Sequence, residues 1–226
     1  MKSVVLFSGG VDSFIALEYM RAQGLNPDAL YVHLEHKYAR QEMTTVLKLI
    51  PNVKMFYLPI GSRFEQPDAT IPLRNLYLAM VAANLGYDDI WIAIQKHEMS
   101  IPDREPGFMI QVQGLLTTLM KTLIYFRTPF TDMDKVDMVK WYVDKGLDID
   151  RLKQTWACYY PDGNKPCANC PACIRRLVAF RLNGIVEDWH GMALNSPTAN
   201  VYLQHAISGR YPPERAKEIV QALGVL

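Results

Sequence analysis

The sequence predicts an α/β fold, a parallel sheet with helices on both faces, closed by a small cysteine-bearing appendage. Three observations carry this reading. Short apolar runs alternate with segments of helical periodicity as far as about residue 145, the pattern of successive βα units. A glycine pair, in Ser8-Gly9-Gly10-Val11-Asp12-Ser13, separates the first apolar run from the first helical segment. All four cysteines, Cys158, Cys167, Cys170 and Cys173, follow the last predicted unit with the spacing C-x8-C-x2-C-x2-C.

The elements follow in order. Val4 to Phe7 is continuously apolar, as a strand covered on both faces should be. Ser13 to Gln23 has helical character and stops at Gly24, a natural C-terminal cap. Ala29 to Leu34 is a second strand, Arg40 to Ile50 a helix ended by Pro51, and Val53 to Leu58 a third strand. Pro72 suits the first position of a helix, where a missing N–H costs nothing. Leu73, Leu76, Tyr77, Met80 and Val81 then recur at three- and four-residue steps and predict its buried stripe. Asp89 to Ile94 is a fourth strand, Gln95 to Gly107 a polar loop, Phe108 to Lys121 a helix and Ile124 to Arg127 a fifth strand. Asp132 or Asp134 can cap a helix running to Lys145. An irregular knuckle around the cysteines leads into a helix over Pro171 to Asn183, and Pro212 to Leu223 is the last helix. The expected organisation is an α/β domain over residues 1–150, with residues 151–226 packed on it as one structural unit.

Composition narrows the function. With 226 residues, 50% hydrophobic and 21% charged, the chain is an ordinary globular one. A formal net charge of +1 offers no field for holding a nucleic-acid backbone. The apolar run before Gly9 is too short for a signal peptide, and no stretch reaches the ~20 apolar residues of a membrane span. Together with clustered cysteines, this points to a reducing cytoplasm and no membrane partner.

Thiolates two residues apart can converge on one tetrahedral ion, so the cysteine spacing predicts a structural Zn²⁺ held by Cys158, Cys167, Cys170 and Cys173. Four reduced thiols gathered by chance in a loop are the alternative. If metal closes the set, no thiol remains for nucleophilic chemistry.

The Gly9-Gly10 turn has a different chemistry. Successive backbone N–H groups without Cβ obstruction can form an anion nest. The helix that follows adds its positive dipole end and unpaired donors. The Ser8 and Ser13 hydroxyls can donate to phosphate oxygens, and Asp12 suits an anion site only with a divalent cation, Mg²⁺, or as a cap. The turn lacks the lysine of a Walker A loop and the third glycine of a dinucleotide fingerprint. A plain capped glycine turn is the alternative.

The string SGGVDS after an N-terminal strand resembles the PP-loop of the ATP pyrophosphatase superfamily, whose members split ATP between the α and β phosphates to adenylate an acceptor. The cysteine spacing in turn resembles the zinc site of the 7-cyano-7-deazaguanine synthase family. Other segments agree in order: Pro72-Leu73-Arg74-Asn75 with a Pro-Gly-Arg-Asn helix start, Pro102-Asp103 with a Tyr-Pro-Asp loop, and Thr128-Pro129 with Lys135 as a late phosphate-side motif. Cys158-Tyr159 and Arg176 also match. There are departures. Glu35-His36-Lys37-Tyr38 stands in place of a Gly-Gln-x-His segment, and the loop from Met99 to Pro106 lacks the family's Gly and Cys.

The resemblance implies an adenine nucleotide alpha hydrolase-like, Rossmann-like fold. ATP would be the co-substrate, bound by Phe7, Ser8, Gly9, Gly10, Val11, Asp12 and Ser13. It implies a ligase joining ammonia to the small molecule 7-carboxy-7-deazaguanine through an acyl-adenylate, with Asp12, Lys135 and Arg74 as catalytic candidates. Gln95, His97, Asp103 and Arg104 are candidates for reading the deazapurine. Lys135 could equally be a solvated lysine, and Arg74 a surface ion pair. Alternatives are a relative that adenylates another carboxylate or stops at the amide, a tRNA sulfurtransferase, and a zinc-knuckle binding module without turnover. The charge balance and the commitment of all four thiols argue against the sulfurtransferase. A homodimer contact is expected from Val201 to Leu226.

Overall fold

The computed structural model describes residues 1–98 and 101–224. Met99 and Ser100 of the expected polar loop, and Val225 and Leu226 of the expected dimer segment, lie outside the described residues. The chain separates into two compact units, one of Met1–Asp134 with Gln154–Trp156, the other of Lys135–Lys153 with Ala157–Leu226.

The first unit is built on β1 (Ser3–Leu6), α1 (Val11–Ala22), β2 (Asp28–His33), α2 (Ala39–Leu49), β3 (Lys54–Tyr57), α3 (Gly61–Phe64), α4 (Arg74–Asn84), β4 (Asp89–Trp91), α5 (Pro106–Met120) and β5 (Tyr125–Arg127). Every strand pairing is parallel, in the order β3-β2-β1-β4-β5. Strand order runs one way from β1 to β3 and the other way from β4 to β5, and crossovers are right-handed. Helices α1 and α2 therefore cover one face, α4 and α5 the other.

Burial follows from this. Val4, Leu6, Leu30, Val32, Ile90 and Ile92 join Ala79, Ala82, Met109, Val112 and Leu116 in one core. The alternate residues of the same strands turn to the opposite layer, where the Tyr31 hydroxyl donates to the Ala39 carbonyl at 3.2 Å. The reversal of strand order between β1 and β4 opens the crevice in which sheets of this kind bind ligands.

Three local expectations change. Helix α4 starts at Arg74, after Leu73 in the left-handed region at φ 59°, so Pro72 lies in the preceding turn. Of the expected stripe, Val81 is buried and Leu76 packs against the core, but Leu73 and Met80 face solvent, and Asn75, Ala79, Ala82 and Ala83 are buried with Val81. Small side chains there let the helix backbone approach strands β1 and β4 closely. Strand β3 is exposed along its length because it is the sheet edge.

The second unit contains α6 (Lys135–Asp144), α7 (Ile149–Lys153), α8 (Pro171–Leu182), α9 (His190–Leu194), α10 (Pro197–Ile207) and α11 (Pro213–Leu223). Helix α8 is its axis, burying Ile174, Leu177 and Val178 against Ala199, Ala206, Ile219 and Leu223. Pro171 takes the first helical turn and Cys170 the N-cap. The tail, for which no element before Pro212 was expected, supplies α9 and α10, the latter capped where Ser196 Oγ accepts from the Ala199 N–H at 3.1 Å.

Candidate nucleotide site and metal centre

The turn between β1 and α1 lies at the switch point. Gly9 adopts φ +73°, a region that side chains avoid, and a Cβ there would meet Val46 Cγ2 at 3.0 Å and Thr45 Cγ2 at 3.2 Å. Gly10 is the N-cap of α1, and no side chain caps the helix. Helix geometry gives the first-turn N–H groups no acceptor within the helix. The Ser13 hydroxyl donates to the Gly10 carbonyl at 3.1 Å and accepts from the Ser8 N–H at 3.2 Å. Ser8 Oγ lies 3.2 Å from Ser13 Oγ. The Trp156 N–H pins the turn by donating to the Gly9 carbonyl at 2.9 Å. Phe7 and Val11 are buried beneath, whereas Asp12 is half-buried in the first turn of α1. The Gly10 N–H donates to Ser8 Oγ at 3.3 Å within the turn, and a glycine turn that opens a helix is the kind of backbone that suits a phosphate.

The end of β4 borders the same crevice. Its extension is clasped by Thr128, whose Oγ1 accepts from the Ile94 N–H at 3.2 Å and donates to the Ile94 carbonyl at 2.8 Å. Gln95 follows and is buried. His97 Nε2 lies 3.3 Å from an Asp134 carboxylate oxygen. Arg104 pairs with Glu98 and sits 3.8 Å from Asp103. The Asn75 amide donates to the Asp103 carbonyl at 3.0 Å, tying the start of α4, and with it Arg74, to this loop. The structure thus gathers Gln95, His97, Asp103 and Arg104 around one loop, three of them engaged by neighbouring side chains. Lys135 opens α6 in the second unit. Asn75, Thr128 and Trp156 carry these arrangements without having been singled out as site residues. The first two sat inside quoted motifs, and Trp156 had no local signal.

The four cysteine sulfurs lie within 4.8 Å of one another. Cys170 Sγ and Cys173 Sγ are 3.5 Å apart, far beyond a disulfide bond and near the ~3.8 Å expected between sulfurs on a tetrahedral zinc. The eight residues after Cys158 fold into a tight hairpin, with Asp162 and Lys165 exchanging backbone bonds at 3.0 Å around Gly163. Ala168, buried at φ 56°, turns the chain so that Cys167 and Cys170 converge. The Cys167 N–H donates to Cys158 Sγ at 3.2 Å, and Cys173 sits in the first turn of α8. Hydrogen bonding to Cys170 pushes the Cys158 thiol up to about 12. The hydrogen bonds that Cys170 receives from Cys158 and Cys173 hold it down at about 2. Bare, the set resists full ionisation, and a divalent cation reverses that balance. The donor set fits zinc and leaves no open coordination position.

A buried Arg176–Glu187 ion pair, with His190 beside it, braces α8. Arg176 donates through Nε and Nη2 to the two Glu187 oxygens, each at 2.8 Å, and through Nη2 to the Lys153 carbonyl at 3.0 Å. His190 Nε2 lies 3.2 Å from Glu187. Burial raises the Glu187 carboxyl, but the bonds from Arg176 and His190 prevail and hold it at about 2.

Comparison with known proteins places the chain. The family described as "Queuosine biosynthesis protein QueC" matches residues 61–184, more than half of the sequence. The chain belongs to the QueC family. It is 28% identical over 218 residues to "7-cyano-7-deazaguanine synthase" of Chlorobium phaeobacteroides (strain BS1), covering 82% of this chain and 94% of that one. The protein of the same name from Archaeoglobus fulgidus is 28% identical over 220 residues, covering 83% and 89%. That of Marinobacter nauticus is 26% identical over 212 residues, covering 81% and 94%.

The turn after β2 has one oddity. Glu35 stands where the motif it resembles has glycine, and its backbone still takes the glycine-like φ of 62°. Its carboxylate accepts from the Tyr57 hydroxyl at 2.8 Å, which helps offset the strain of about 1–3 kcal/mol. Gly61 packs so closely under this turn that a Cβ would lie 2.7 Å from the His36 nitrogen.

Proposed function

We propose that this QueC member converts 7-carboxy-7-deazaguanine and ammonia to 7-cyano-7-deazaguanine at the expense of ATP, in queuosine-type biosynthesis. The observation that carries the reading is the match, over more than four-fifths of the chain, to curated 7-cyano-7-deazaguanine synthases. The Gly9-Gly10 turn supports the use of ATP. A carboxylate is a poor electrophile until an oxygen is adenylated. Attack of the carboxylate on the α-phosphorus of ATP gives the acyl-adenylate and releases pyrophosphate. Ammonia then displaces AMP to give the amide. Adenylation of the amide oxygen followed by loss of AMP and a proton gives the nitrile.

In this reading the N–H groups of Gly9 to Ser13 and the Ser8 and Ser13 hydroxyls grip the leaving pyrophosphate, stabilising charge as it develops. Asp12 would hold Mg²⁺ against the phosphates, as a single carboxylate commonly does for this ion, and the ion supplies charge neutralisation there. Arg74 at the start of α4 is assigned to the carboxylate or α-phosphate. Lys135 is assigned to the phosphate side on the strength of the motif alone. Gln95, buried at the end of β4, and the His97, Asp103 and Arg104 loop would read the polar edge of the heterocycle. Cys158, Cys167, Cys170 and Cys173 would hold a Zn²⁺ that supports folding and takes no part in turnover.

The test is incubation with ATP, Mg²⁺, ammonium and 7-carboxy-7-deazaguanine, followed by mass spectrometry. The expected products are the nitrile, AMP and pyrophosphate. Accumulation of the amide alone moves the reading to an amide synthase. Unchanged acid with no AMP overturns it.

A further inference from the structure

Within the loop that follows β4, His97 differs from its charged neighbours. Glu98 pairs with Arg104, and Asp103 Oδ1 lies 3.8 Å from the same guanidinium, so these three charges answer one another. His97 Nε2 lies 3.3 Å from Asp134 Oδ2 instead, and nothing among the described residues engages its Nδ1. Asp134 is buried at 6% exposure, whereas the His97 side chain keeps 26% of its surface open. The Lys96 N–H already docks this segment on the Met133 carbonyl at 2.9 Å, so the contact between imidazole and carboxylate is additional to the backbone tie.

We propose that, in the synthase reaction proposed above, on which this assignment rests, His97 oriented by Asp134 is the base that takes protons from nitrogen as the amide and then the nitrile form. A neutral imidazole that gives its Nε2 hydrogen to a carboxylate has a lone pair on Nδ1, so His97 accepts a hydrogen there. The opposite tautomer would set the Nε2 lone pair against a negative oxygen. The buried Asp134 charge also stabilises the imidazolium formed when Nδ1 takes a proton. A second metal is a poorer use of the pair, since the cysteines are the one set of three or more such ligands gathered among the described residues. Position agrees with this chemistry. Strand β4 lies beside β1, and the Thr128 clasp fixes Ile94 three residues before His97. Ligands of such sheets lie in the crevice where strand order reverses, which here is between these two strands.

Ammonia attacking the acyl carbon of the adenylate gives an adduct with a positive nitrogen. Nδ1 takes one of its protons, the C–O bond to AMP breaks, and the amide is left. In the second activation the amide oxygen carries AMP, and the nitrogen sheds one proton to give a neutral imidate. As the C–O bond then breaks, Nδ1 takes the remaining N–H proton and that electron pair completes the C≡N bond. Nothing is oxidised or reduced, and the part-exposed imidazole returns each proton to water before the next step.

The test uses the full chain with zinc. Given ATP, Mg²⁺ and 7-carboxy-7-deazaguanine without ammonia, it should exchange labelled pyrophosphate into ATP, the signature of reversible adenylation. No exchange by the wild type would remove the proposed reaction, and the base with it. His97→Gln should keep this exchange and its Tm, while kcat for amide formation falls about a hundredfold or more, the contribution of a general base. KM for the acid should hold, because the proton is taken only in the transition state. Asp134→Asn should lower kcat about tenfold or more through loss of the set tautomer, again with KM and exchange retained. Combined with His97→Gln it should cost nothing further in kcat, because Asp134 acts through the imidazole. The assignment is overturned if His97→Gln makes amide at the wild-type rate. It is overturned equally if that variant loses exchange and amide formation in the same measure, which marks a substrate-binding group. Additive losses in the double variant would strike out Asp134 as the positioning residue.

Discussion

The Gly9-Gly10 turn and the cysteine knuckle are opposite ways of building a site. The turn works by the absence of side chains: glycine at φ +73° and a helix start whose N-cap is itself a glycine. The knuckle works by side-chain density, with four thiols within 4.8 Å of each other on a hairpin, a left-handed alanine and a helix start. A backbone site tolerates pH and fails when atoms are added. A thiolate site is indifferent to added bulk nearby but depends on charge, and it contributes folding energy only once a cation balances its ligands.

Four substitutions probe that contrast, beginning with the largest effect. Cys170→Ser removes one of four ligands, and zinc ligation is worth on the order of 10 kcal/mol to a domain of this kind. Zinc per chain, measured by atomic emission, should fall from about one towards zero, with soluble yield falling alongside. A zinc-free Cys170→Ser protein with normal stability would remove the structural role. Glu187→Gln leaves Arg176 buried without its carboxylate, at about 3–5 kcal/mol. The Glu187 carboxyl is held at about 2 against an ordinary 4.5. Because the folded value is the lower one, its contribution is full above about pH 4.5 and disappears as pH falls towards 2. Urea unfolding should therefore show the wild-type advantage over Glu187→Gln shrinking across that window, and a constant gap would contradict the assignment.

Gly9→Ala adds a methyl 3.0 Å from Val46 in a backbone region hostile to side chains, at about 1–3 kcal/mol. It should raise the KM for ATP and lower Tm by a few degrees, and Val46→Ala should restore part of the Tm while leaving the KM high. Full recovery of both would mean the glycine serves packing alone. Arg104→Ala, removing a half-buried pair with Glu98, should change stability by less than about 1 kcal/mol. If the loop reads the heterocycle, kcat/KM for the acid should still drop at least about tenfold. Unchanged kinetics would confine Arg104 to holding its loop.

Local chemistry carried much of this in readable form. Continuous apolar strands, Gly24 and Pro51 as helix stops, the glycine pair after β1 and the C-x8-C-x2-C-x2-C spacing all depend on neighbours along the chain, so they are visible in the sequence. The cysteine cluster and the Gly9-Gly10 turn were legible for that reason. The buried face of helix α4 was legible only in part: periodicity marked Leu73, Leu76, Tyr77, Met80 and Val81, the core took Val81 and Leu76, and Asn75, Ala79 and Ala82 are buried where Leu73 and Met80 were expected. Which face of a uniformly apolar helix turns inward depends on how closely the strands can be approached, and that is a tertiary matter.

Sequence alone determined the order of the five strands and the helices between them, the parallel sheet and the clustering of the cysteines, because backbone freedom, hydrophobic period and residue spacing are short-range properties. Tertiary structure decided the rest: that Trp156, over a hundred residues away, pins Gly9, that Glu187, itself in contact with His190, neutralises Arg176, and that the outer faces of α4 and α5 stay apolar. Each of these depends on which groups folding buries together, where an unmatched polar or charged group costs far more than its local propensity could offset.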